Sequence, residues 1–127
     1  MKLASATVLV VDDEPELLEI FAGWLERSGC RVFTAANGAE ALKLLEGEHV
    51  DALISDLRMP VMDGVALLRR IHTIGLAMPS LLFLSGCGDV DEREMQALGV
   101  VEFVRKPLLR LDLLGALERS LVPVMVT

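Results

Sequence analysis

The stretch Val8-Leu-Val-Val-Asp-Asp13 carries the fold. Four consecutive apolar residues leave no polar face, so the segment reads as a strand covered on both sides, as strands are in a parallel sheet sandwiched between helices. The run stops abruptly at two carboxylates, which marks where that strand ends. Working outward, similar short runs recur at Val32 to Ala35, Ala52 to Ile54, Leu81 to Leu84 and Val100 to Val104. Between them the apolar residues switch to helical spacing: Leu17, Leu18, Phe21 and Leu25; Ala41, Leu42 and Leu45; Val65, Leu68 and Ile71; Leu113, Leu114, Leu117 and Leu121. The helix after Asp89 has a thin face resting on Met95 and Leu98. Asn37-Gly-Ala-Glu40 and Asp89-Val-Asp-Glu92 each set a short acceptor side chain three residues before a Glu, the pattern of a capping box. This strict alternation predicts an α/β domain with one doubly wound, parallel, five-stranded sheet. Arg31-Val-Phe-Thr34 is mixed and Glu102 interrupts the last run, so these two strands are the expected edges.

Composition narrows the class. The 127 residues are 53% hydrophobic and 24% charged, with a formal charge of −7. That is one domain with enough apolar material for its own core, and it is not a disordered chain. The negative balance disfavours direct binding to nucleic acid or to an anionic membrane surface. No apolar run approaches the roughly 20 residues that cross a bilayer, and the start of the chain lacks the apolar segment of a secretion signal, so a cytoplasmic location is expected. Cys30 and Cys87 show no paired spacing and read as reduced thiols.

In an open α/β sheet, ligands gather beyond the carboxyl ends of the strands. There this sequence delivers Asp12 and Asp13 from strand one, Asp56 from strand three, Ser85 from strand four and Lys106 from strand five. Three carboxylates on one rim repel one another, and a hard divalent cation such as Mg²⁺ resolves this because it prefers carboxylate oxygens and accepts a phosphate oxygen. Phosphoryl transfer depends mainly on alignment and on charge neutralisation, for which Mg²⁺, Lys106 and Ser85 are suited. Asp56, set apart from the Asp12-Asp13 pair, is the best candidate for a nucleophilic carboxylate.

At these residues the chain resembles the receiver domains of two-component response regulators, of which the chemotaxis regulator is the simplest. The resemblance rests on Val10-Val-Asp-Asp-Glu-Pro15, Asp56-Leu-Arg-Met-Pro-Val-Met-Asp-Gly64, Ser85-Gly86 and Lys106-Pro107. It covers about residues 7–121 of a domain taken as 1–127. It implies a flavodoxin-like (βα)5 fold with strand order 2-1-3-4-5. It also implies that Asp56 accepts a phosphoryl group from a histidine kinase or a phosphotransfer protein, with intrinsic self-phosphorylation and self-dephosphorylation. Asp12, Asp13, Asp56 and the backbone carbonyl of Arg58 would hold Mg²⁺ or Mn²⁺. Lys106 would pair with phosphoryl oxygens, and the Lys106-Pro107 bond would be cis. Ser85 would move toward the phosphate and Phe103 would follow it. That motion would repack the face of the fourth helix, fifth strand and fifth helix against an output domain or a second copy. Ser85 stands where Thr is more frequent, Phe103 where Tyr is, and the cationic Arg58 lies two residues past the acceptor.

Blander readings stand beside these. Asp12 and Asp13 could cap the first helix, Lys106 could be a solvated lysine, Ser85-Gly86 an ordinary turn, and Phe103 a core residue. Met59, Met62, Met78 and Met95 read as gap fillers, and Arg69-Arg70 as a solvated helix face. His49 and His72 have no evident partner in sequence, and Trp24 has no companion aromatics for a stacking platform. Two further functions use the same constellation. One is a degenerate receiver serving as a constitutive protein-binding adaptor. The other is a Mg²⁺-dependent aspartyl-phosphate phosphohydrolase, which would need a water-activating group near Asp56, where only Arg58 is at hand.

Overall fold

Alternate residues of a strand face opposite sides of a sheet, and here both sides are apolar. Leu9, Val11 and Leu53 pack with Ala41, Leu67, Leu68 and Ile71 on one side, whereas Val8, Val10, Ala52 and Ile54 pack with Phe21, Leu25, Leu113, Ala116 and Leu117 on the other. The computed structural model describes residues 5–56, 64–75, 80–85, 92–97, 100–105 and 109–121, with 80–85 and 100–105 described as backbone. Its elements run β1 (Thr7–Val11), α1 (Pro15–Arg27), β2 (Arg31–Ala35), α2 (Gly38–Gly47), β3 (Ala52–Asp56), α3 (Gly64–Ile74), β4 (Ser80–Ser85), α4 (Glu92–Ala97), β5 (Val100–Arg105) and α5 (Arg110–Leu121). The first core is therefore roofed by α2 and α3, the second by α1 and α5. Leu53, Leu67, Leu68 and Ile71 are fully buried, and each such side chain contributes about 1.5–3 kcal/mol. Leu67 lies outside the helical stripe predicted from Val65, Leu68 and Ile71, because α3 buries a wider arc than that stripe.

The strands are all parallel, in the order β2-β1-β3-β4-β5. β2, with Arg31 and Thr34 exposed, forms one edge and β5 the other. Glu102 does not interrupt β5. Instead the register with β4 shifts between Leu81, opposite Val100, and Leu82, opposite Glu102, so Val101 is accommodated as an extra residue.

Local signals account for the helix ends. Asn37 Oδ1 accepts from the Glu40 N–H at 2.9 Å, and Glu40 Oε2 accepts from the Ala36 N–H at 3.1 Å, a reciprocal cap that starts α2. Gly29, with φ of 93°, follows the end of α1, and the Cys30 N–H reaches back to the Leu25 carbonyl at 3.0 Å. Cys30 is buried, and that burial raises the pKa of its thiol. Trp24 does have an aromatic companion: its ring centroid lies 5.5 Å from that of Phe21, three residues earlier on the same helix. The Asp89 capping pattern, Leu98, Met59, Met62, Met78, the Met95 side chain, Cys87 and the Lys106-Pro107 bond lie outside the described residues.

At the amino ends of β1 and β3, Asp51 joins the two strands. Its Oδ2 accepts from the Thr7 N–H at 2.8 Å, while its own N–H donates to the Thr7 carbonyl at 2.8 Å. Its other oxygen, Oδ1, lies 2.8 Å from Nε2 of His49, so the histidine has a partner that its sequence neighbourhood did not reveal. Among the described residues, no helix is long and apolar enough to cross a membrane.

Candidate functional site

At the opposite, carboxyl end of the sheet, register brings the acidic residues together. Val11 of β1 is level with Ser55 of β3, so the next residue on each strand is Asp12 and Asp56 respectively. Both continue the face that carries Val10 and Ile54. Backbone contacts hold Asp12 in place: its N–H donates to the Ala35 carbonyl at 3.1 Å, and its Oδ1 accepts from the Glu14 N–H at 3.0 Å. Asp12 is fully buried, Asp13 exposed and Asp56 half-buried. One carboxylate oxygen from each of the three lies within 4.8 Å of the others.

The capping alternative for the aspartates is not what this arrangement uses. The N-cap of α1 is Glu14, with no side-chain cap, and Pro15 occupies the first turn, where a missing N–H goes unnoticed. Asp12 orients its carboxylate through a turn two residues long and keeps it at the rim.

Farther across the rim, the structure supplies backbone positions. Asp56 is level with Leu84, and Ser85, the last residue of β4, is one step beyond and level with Arg105. Phe103 is opposite Phe83. Arg58 and Lys106 lie outside the described residues, so the roles expected of them are carried by the sequence alone. Arg69 and Arg70 are exposed on α3, as their reading as a helix face requires.

The acidic trio suits a hard divalent cation. Its donors are all carboxylate oxygens, and their 4.8 Å spread is close to the roughly 4.2 Å between opposite ligands of a Mg²⁺ ion coordinated at about 2.1 Å. Because Mg²⁺ retains several waters, not every carboxylate has to bind directly.

A parallel, doubly wound α/β sheet in the order β2-β1-β3-β4-β5 with an acidic trio at its carboxyl end is the class of domain that the fold and site define, and comparison with known proteins gives its family. Residues 8–118 match the response regulator receiver domain. The chain belongs to that family. It is 37% identical over 116 residues to the transcriptional regulatory protein GlrR of Escherichia coli K12, and the match covers 91% of this chain but 26% of GlrR. Against the response regulator GtcR of Aneurinibacillus migulanus it is 32% identical over 117 residues, covering 92% of this chain and 48% of GtcR. The chain thus spans between about a quarter and half of these relatives' lengths. Among solved structures, a response regulator receiver domain protein from Clostridium thermocellum superposes with a TM-score of 0.82 at 32% identity, covering 92% of this chain and 94% of that one.

One residue of the site escaped the sequence reading. Ser55, fully buried, donates its hydroxyl to the Asp56 carbonyl at 2.9 Å. Its signal was present as a hydroxyl ending an otherwise apolar strand, but a Ser at a strand end is so often a turn residue that spacing alone does not single it out.

Proposed function

We propose that this chain is a phosphorylation-controlled receiver in which Asp56 takes a phosphoryl group from a histidine kinase or a phosphotransfer protein, with Mg²⁺ (or Mn²⁺) required. The observation that carries the reading is the meeting of Asp12, Asp13 and Asp56 within 4.8 Å at the ends of adjacent strands. The receiver unit is taken as one domain over 1–127 with its core at about 7–121, a flavodoxin-like (βα)5 unit working in the cytoplasm.

An Asp56 carboxylate oxygen forms the new bond to phosphorus as the bond to the donor imidazole nitrogen breaks, and the donor leaves with its electron pair. Asp12, Asp13, Asp56 and the Arg58 backbone carbonyl would hold Mg²⁺, which would supply positive charge to the phosphoryl oxygens. Asp12, locked to the Ala35 carbonyl and the Glu14 N–H, cannot swing away from Asp56, and this preorganisation spares reorganisation during transfer. Lys106 contributes an ammonium to the same oxygens, and Ser85 a hydroxyl from the neighbouring strand. The product brings a charge of roughly −1.5 to −2 to the rim. Ser85 and Phe103 respond to it, and the face of α4, β5 and α5 is re-biased toward an output domain or a second copy. Self-phosphorylation from small donors and self-dephosphorylation use the same residues.

The test is intact-mass measurement after incubation with acetyl phosphate and Mg²⁺. One phosphoryl adduct, absent in Asp56→Ala, is expected. Absence of any adduct with every donor would point to a constitutive adaptor, and many turnovers of a phosphomonoester to a phosphohydrolase; either result overturns the reading.

A further inference from the structure

We propose that Ser55 is a positioning residue for the acceptor, its hydroxyl clamping the carbonyl of Asp56 and so setting the direction in which the chain leaves β3. The inference builds on the receiver reading above, since it assigns a role at that same site.

Alternation along β3 puts Ser55 on the side of the sheet where Leu53 packs into the α2 and α3 core, and its β1 neighbour at that level, Val11, belongs to the same core. An apolar side chain would serve packing better there. A fully buried hydroxyl is unfavourable unless it is hydrogen-bonded, and the bond that Ser55 makes goes to the acceptor's own peptide at 2.9 Å. That peptide is the one on the carboxyl side of Asp56, whose own carboxylate belongs to the acidic trio. Holding it fixes the torsion on the carboxyl side of the Asp56 Cα. Ser55 thereby works from the α2 and α3 core, on the side of the sheet away from Asp12, and acts on the cation site through the backbone.

The molecule contains its own control. Ser120 of α5 is also buried and donates its hydroxyl to a carbonyl, that of Leu117, at 2.8 Å, but it belongs to a helix and not to the rim. The experiment compares Ser55→Ala, Ser55→Thr and Ser120→Ala with the unaltered chain, measuring Mn²⁺ affinity by titration, phosphorylation by acetyl phosphate at saturating Mn²⁺, and thermal midpoint. Ser55→Ala is expected to weaken Mn²⁺ binding about fivefold, the effect of one lost hydrogen bond, and to slow phosphorylation. Ser55→Thr, which keeps the hydroxyl, restores both. Ser120→Ala lowers the thermal midpoint and leaves Mn²⁺ affinity unchanged.

Unaltered Mn²⁺ affinity in Ser55→Ala overturns the proposal. So does an equal loss in Ser120→Ala or in Ser55→Thr, since a purely structural role predicts one or the other. A parent chain that binds Mn²⁺ but gains no adduct sinks the phosphoacceptor reading while the affinity comparison still decides Ser55. A parent chain that takes up no Mn²⁺ overturns both.

Discussion

Strands β1 and β3 meet aspartates at both of their ends, and the two ends treat them in opposite ways. At the amino edge, both Asp51 oxygens serve structure: one accepts from the Thr7 N–H and the other lies 2.8 Å from His49 Nε2. At the carboxyl edge, Asp12, Asp13 and Asp56 crowd within 4.8 Å of one another. A carboxylate beside a donor fastens a fold. Carboxylates beside each other create a demand for positive charge, and that demand can be met by a cation or relieved by chemistry. The residue type is the same; the neighbours decide its work.

Substitutions at the two edges should therefore separate activity from stability. The largest effect is expected from Asp56→Asn, which removes the nucleophilic oxygen and should abolish the phosphoryl adduct seen by mass spectrometry while the circular dichroism spectrum stays that of a folded chain. Next is Asp13→Asn. Divalent affinity follows the number of charged ligands, so Mn²⁺ binding measured by titration should fall roughly tenfold or more, with little loss of stability because Asp13 is exposed. Saturating Mg²⁺ sharpens the same contrast. Binding to the folded chain alone should stabilise the parent by about 2.7 kcal/mol at a hundredfold excess over Kd, visible as a raised thermal midpoint. Asp51→Ala should keep that increment, and Asp13→Asn, with its affinity reduced roughly tenfold or more, should lose about half of it or more.

The amino edge should show the reverse behaviour. Asp51→Ala deprives the Thr7 N–H of its acceptor and should destabilise the chain by about 1–3 kcal/mol in denaturant titration, with an unchanged rate of phosphorylation. A slowed rate would mean that the two edges are not independent. The smallest effect is expected from His49→Ala. With 82% of its side chain exposed, the pair it makes with Asp51 should be worth no more than about 0.5 kcal/mol.

Most of the architecture could be read from periodicity, because it depends on neighbours in sequence. The doubly apolar run at Val8 to Val11 announced a central strand, and the Asn37 to Glu40 spacing announced the start of α2. Two helical readings went less far. Leu67 was missed because α3 buries a wider arc than its spacing suggested, and Trp24 was denied a partner although Phe21 stands one turn away. At the rim, the identities of Asp12, Asp13 and Asp56 were legible since each ends an apolar run. Ser55 was not, because its function depends on a contact with the next residue's carbonyl and not on its residue type.

The order of residues along the chain was enough to establish which segments become strands and helices and which chemical groups reach the strand ends, since both follow from short-range alternation and from where apolar runs stop. Registration between strands needed the folded molecule: Val11 level with Ser55, and a shift at Val101 that sets Arg105 level with Ser85. So did the employment of Asp51, whose partner Thr7 is 44 residues away in sequence. Such pairings are set by packing between distant segments, and a one-residue slip would redirect every side chain of a strand without altering any local pattern.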